Sequence, residues 1–177
     1  MPSILTDLFS SGSKGYTLGE LMTIDPGRIE RSEACSVTLK NTYHEVKKAS
    51  ILDKFRAFFS GKTLVNMYYV IFVFNVNSGR GKNHQVVIKC SPDFNLTEWT
   101  SNKVEIFCGD CPDFKFRSAY TLGRGDSLFL TDRSKVELGE SITKKPKATT
   151  RVSFLCKHAY AAAKYLVDNY SILMRTI

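Results

Sequence analysis

Two short pairs, Cys108-Gly-Asp-Cys111 and Cys156-Lys-His158, constrain this chain more than any other feature. A two-residue gap lets a tight turn aim both sulfurs of the first pair at one point, and Gly109 offers the permissive backbone such a turn often needs. The second pair cannot share a helix face, because residues two apart point to different sides. Cys156 is therefore expected just before a helix and His158 in its first turn, where the helix dipole favours thiolate. Three thiolates and one neutral imidazole fill a tetrahedral shell and leave no position for water, so the expected Zn2+ is structural rather than catalytic. His84 and Cys90 are the spare donors, and either could replace an assigned ligand.

The rest of the chain reads as β-rich, then helical. Residues 64–76 are crowded with Tyr, Val, Ile and Phe, as in a strand buried on both faces. Asn77-Ser-Gly-Arg-Gly-Lys-Asn83 then forms the basic tip of a hairpin whose return strand is 85–89. Alternation of Cys35, Val37 and Leu39 with polar residues predicts a strand within 34–46, and 104–107 predicts another that runs into Cys108. Residues 51–59 fit either a short helix or a strand. Residues 152–155 read as a short strand, and 159–174 as a helix that buries Ala159, Ala162, Ala163, Leu166, Tyr170 and Leu173. Residues 112–120 begin as a turn and continue as a short helix. The Gly- and Ser-rich residues 1–33 read as an irregular arm, with at most a helical turn near 18–22. Residues 123–150 are polar, and a structureless stretch of that length signals either function or concealed elements. The expected fold is α+β. A mainly antiparallel β portion (34–103) is followed by a zinc-stabilised strand-and-helix finger (104–177), the two forming one compact unit.

Composition narrows the class. With 43% hydrophobic and 24% charged residues in 177, the chain is an ordinary globular sequence able to bury a core. No apolar run nears the roughly 20 residues of a membrane helix. The start, Met-Pro-Ser-Ile-Leu-Thr-Asp, lacks a charged segment followed by an apolar one, so secretion is not expected. Five cysteines, an odd number, then fit free thiols and metal ligands better than a disulfide framework. The formal charge of +8 favours acidic partners, but it is spread out: residues 104–177 hold 12 Lys/Arg against 8 Asp/Glu, and the remainder 13 against 9.

The stretch Val-Glu-Ile-Phe-Cys-Gly-Asp-Cys-Pro-Asp-Phe-Lys-Phe-Arg, followed by Phe-Leu-Cys-Lys-His-Ala-Tyr-Ala-Ala-Ala-Lys-Tyr-Leu, resembles a SWIM-type zinc finger. That family has the form Cys-x-Cys, a variable insertion, then Cys-x-His on a helix. The version with Cys-Pro-x-Phe and a compact Cys-Lys-His helix also resembles small proteins encoded by bacteriophages. The resemblance covers residues 104–177 and implies Cys108, Cys111, Cys156 and His158 as the zinc ligands. The first pair here is one residue wider than the family form.

Other signals are weaker. Gly61-Lys62-Thr63 lacks the first glycine of a phosphate loop, since Arg56 stands there. Arg124-Gly125-Asp126 is a chance tripeptide, and no set of nucleophile, base and orienting group stands out, so no enzyme and no small-molecule substrate are expected. Lys144, Lys145, Lys147 and Arg151 precede the Cys-x-His pair, and Lys115 and Arg117 follow the first, interleaved with Phe114 and Phe116. They suit phosphate contacts and base stacking as well as a solvated surface. Two functions follow. One is a non-enzymatic interaction protein, a bacteriophage structural or assembly component that docks on other protein chains. The other is an accessory protein that binds DNA or RNA. Either places it in the host cytoplasm or the virion.

Overall fold

Strand pairing organises the first half of the molecule. The computed structural model describes residues 15–23, 27–47, 67–79, 81–90, 103–145 and 154–173. Its sheet has four strands, β1 (Ser36–Lys47), β2 (Met67–Asn77), β3 (Asn83–Cys90) and β4 (Val104–Cys108), antiparallel throughout and in the order β1-β2-β3-β4. The branched and aromatic residues of β2 suit its interior place between β1 and β3. Between β2 and β3, Gly79 and Gly81 take φ of 75° and 77°, and the Gly79 N–H donates to Asn77 Oδ1 at 2.9 Å. Side chains other than glycine resist that backbone region, so the tip closes at low cost.

Register decides what the sheet presents. Opposed residues share a face, and the pairs Val76↔His84, Phe74↔Val86, Phe72↔Ile88, Val86↔Cys108 and Ile88↔Ile106 put all of these on one side. All of the named residues are buried. Over this side lies the helix α5 (Lys157–Leu173), which meets all four strands. Ala159, Ala162, Ala163 and Leu166 have no exposed surface, and the small alanines let the helix approach closely. Phe74 meets Tyr165 edge to face, with centroids 5.9 Å apart. The opposite face is less covered than the sequence suggests: Val73 and Val87 are buried, but Tyr43 is half exposed.

The expected irregular arm is corrected where it is described. Helices α1 (Leu18–Thr23) and α2 (Gly27–Glu33) occupy it, and Leu18 and Leu21 are buried in the core. Thr17 caps α1 in a reciprocal box: Thr17 N–H donates to Glu20 Oε2 at 2.7 Å, and Glu20 N–H to Thr17 Oγ1 at 3.1 Å. The outer edge of β4 is also occupied. Val104 N–H donates to Tyr16 O at 3.0 Å, Ile106 N–H to Ser127 O at 2.8 Å, and Phe129 N–H to Ile106 O at 3.1 Å. An edge paired in this way is not available to another chain.

Residues 123–145 are not a structureless loop. Phe114–Ser118 form a wide π turn that continues as α3 (Ala119–Arg124). Then α4 (Asp132–Leu138) starts on a box between Thr131 and Ser134 and ends at Gly139, φ 52°. A single 3-10 turn, Gly139–Ile142, follows. Phe154 and Leu155 are buried but not in a strand. The expectation for 51–59 lies outside the described residues. One buried core runs from Tyr16 to Leu173. Among the described residues, no helix is long and apolar enough to cross a membrane.

Candidate metal centre

The end of β4 and the start of α5 converge at one end of the buried face. Cys108 is the last residue of β4, and the chain turns through Gly109 and Asp110 to Cys111. The left-handed residue of this turn is Asp110, φ 55°, rather than the glycine that the sequence favours. Aspartate tolerates that conformation better than most side chains, and the Asp110 N–H donates to Glu137 Oε1 at 2.6 Å. The Gly109 N–H donates to Gln85 O at 2.9 Å, which ties the turn back to β3. Cys156 stands immediately before α5, where its Sγ accepts from the Ala159 N–H at 3.4 Å in the manner of a helix cap. His158 is in the first turn, as the two-residue spacing requires.

These elements gather Cys108, Cys111, Cys156 and His158, all buried, with one donor atom of each within 4.8 Å of every other. Cys111 Sγ lies 3.4 Å from His158 Nδ1. A tetrahedral ion with bonds of about 2.3 Å to sulfur and about 2.0 Å to nitrogen requires S···N edges of about 3.5 Å and S···S edges of about 3.8 Å. The cluster can hold a metal ion such as zinc. It is the one group of this kind among the described residues.

The sulfurs already interact. Hydrogen bonds from Cys108 and then Cys156 hold the Cys111 thiol well below the ordinary range. Burial pushes Cys108 and Cys156 upward. Metal binding requires these ligands deprotonated, so an ion entering the cluster would displace protons from the raised thiols.

The spare donors separate clearly. Cys90 opposes Val104, while Cys108 opposes Val86, four residues along the ladder. At about 3.3 Å per residue, Cys90 is roughly 13 Å from the cluster along the strand and cannot replace a ligand. It is a buried thiol raised by desolvation. His84 is close, but its ring stacks on that of His158, centroids 4.0 Å apart and planes 28° from parallel. Its Nδ1 lies 3.4 Å from Gly109 O. Burial, then the neighbouring His158, hold His84 below the usual histidine range, which favours the neutral ring.

Among the described residues, three of the basic candidates have partners within the chain. Lys115 Nζ donates to Glu137 O at 3.0 Å, Arg117 pairs with Asp113 at 3.1 Å, and Lys144 pairs with Glu140 at 3.6 Å. Lys145 is exposed, while Lys147 and Arg151 lie outside the described residues. Of the interleaved rings, Phe114 is core and Phe116 is exposed. Gly125 of the Arg-Gly-Asp tripeptide packs beneath Tyr16.

No family of proteins, no curated protein and no solved structure gives a match to this chain.

Proposed function

We propose that the chain is a non-enzymatic interaction protein whose fold is locked by one structural Zn2+ on Cys108, Cys111, Cys156 and His158. One observation carries the reading: three thiols and an imidazole, all buried, stand within reach of a single ion. Thiolate and imidazole together suit zinc, and a shell filled by four protein donors has no place for a reacting water. Coordination would join the end of β4 to the start of α5. A thiolate at the cap of α5 also meets the favourable end of the helix dipole. Structural zinc can contribute on the order of 10 kcal/mol, far more than closing the loop between the two pairs costs.

The resemblance to SWIM-type, bacteriophage-encoded proteins makes a structural or assembly component, docked on other protein chains, the reading that best fits a metal with no catalytic position. The alternative is nucleic-acid binding through the basic residues, of which Lys115, Arg117 and Lys144 also contact acceptors within the chain. Hydrogen exchange with and without a chelator tests the metal's role. The reading requires α5 amides to lose protection when zinc is removed; unchanged protection would refute it. DNA titrated at two salt concentrations checks the alternative, because contacts to several phosphates would give a steep salt dependence.

A further inference from the structure

We propose that His84 is a positioning residue for this metal centre: its stacked ring fixes the plane of the His158 imidazole, so that Nδ1 stays aimed into the cluster beside Cys111 Sγ. The inference rests on the zinc reading above.

His84 touches both halves of the site. Its ring lies flat on His158 of the second pair, at 4.0 Å, and its Nδ1 reaches the carbonyl of Gly109, inside the turn of the first pair, at 3.4 Å. It is 6% exposed and is held in place by β3, where it opposes Val76. The neighbouring Gln85 carbonyl accepts from the Gly109 N–H, so strand and turn are bound at two adjacent points.

The chemistry of an imidazole ligand explains why such a partner matters. The lone pair that binds a metal lies in the plane of the ring, so tilting the plane swings it off the ion. Metal-binding histidines are usually held by a hydrogen bond from their second nitrogen to a carboxylate or carbonyl. In this protein Nδ1 faces Cys111 Sγ at 3.4 Å, and Nε2 is buried with no hydrogen-bond partner among the described residues. Orientation must then come from contact with the ring itself, and the flat contact is His84. A histidine there does two things that a purely apolar ring cannot combine. Its face stacks on His158, and its Nδ1–H donates to Gly109 O, which anchors the stack to the turn carrying Cys108 and Cys111.

The test uses the full chain, loaded with zinc, cobalt(II) or cadmium. Wild type must first bind one metal; if it binds none, the zinc reading fails and this inference falls with it. In a wild type that does bind, His84→Ala should weaken zinc by about 10- to 100-fold in chelator competition. It should also change the visible cobalt(II) spectrum while keeping tetrahedral intensity. His84→Phe, which keeps a stacking ring and loses the anchor, should recover part of the affinity. Scalar coupling from cadmium-113 should reach His158 Nδ1. Unchanged affinity and cobalt spectrum in His84→Ala, coupling to Nε2, or continued four-coordinate binding through His84 in His158→Ala would each overturn the proposal. Should His84→Ala fail to fold, the coupling in wild type and the His84→Phe affinity decide it alone.

Discussion

Gly125→Ala is predicted to be among the most destabilising of small substitutions, for a reason outside the metal site. The backbone at Gly125, φ −92° and ψ 13°, is one that alanine adopts freely, so the effect is one of space. A Cβ there would stand 2.0 Å from Tyr16 Cε2 and 2.6 Å from Cζ. Carbon atoms prefer about 3.5 Å or more, so about 1.5 Å must be found. Tyr16 is poorly placed to give it. Its N–H donates to Ser127 Oγ at 2.5 Å, its carbonyl accepts from Val104 N–H at 3.0 Å, and its ring meets Phe154 edge to face at 4.9 Å. Overpacking costs about 1–3 kcal/mol and losing a buried aromatic ring about 3–5, so the substitution should cost about 3 kcal/mol. In a chain of this size that lowers Tm by roughly 6–12 °C. Denaturation of wild type, Gly125→Ala, Tyr16→Ala and the double variant, at fixed zinc, measures the coupling. Once the ring is gone the alanine should cost less than about 1 kcal/mol. An equal loss in both backgrounds would refute the steric argument.

Two further predictions concern the thiols. Cys90→Ser should keep full metal loading but lose about 1–3 kcal/mol, because it puts a hydroxyl into a fully buried apolar position; Cys108→Ser should weaken zinc by more than about 100-fold, beyond what outer residues cost. Zinc analysis beside thermal melts separates them, and zinc lost from Cys90→Ser would contradict the register argument. Metal affinity should also rise with pH. Burial raises the Cys108 and Cys156 thiols, so both are protonated near neutrality and binding releases about two protons. The bound state holds fewer protons, so the equilibrium strengthens as pH rises, by up to about 100-fold per unit, and weakens as it falls. Chelator competition between about pH 6 and pH 8 reads the slope; a flat profile would mean that the thiols are already ionised.

Most of the sheet and the site could be read from local pattern. The branched run of β2, the glycines of its hairpin and the spacing of Cys156 and His158 each specify structure over a few residues, and the structure follows them. Three features could not be read that way. Thr17-Leu-Gly-Glu20 is a capping-box signature, yet the surrounding glycines and serines made the segment look irregular; burial of Leu18 and Leu21 against the core is a tertiary effect. Residues 132–142 carry few apolar side chains, and their helical turns depend on the caps at Thr131 and Gly139. His84 was legible only as a spare donor. Its place beside His158 depends on how β3 pairs with β2 and β4, a register set by the whole sheet.

Zinc per chain by native mass spectrometry, for wild type and for Cys156→Ser, decides whether a metal locks this fold. One Zn2+ per wild-type chain is expected, lost in the variant together with a large part of its thermal stability. A well-folded wild type without zinc, or a Cys156→Ser protein that keeps both metal and stability, would contradict it.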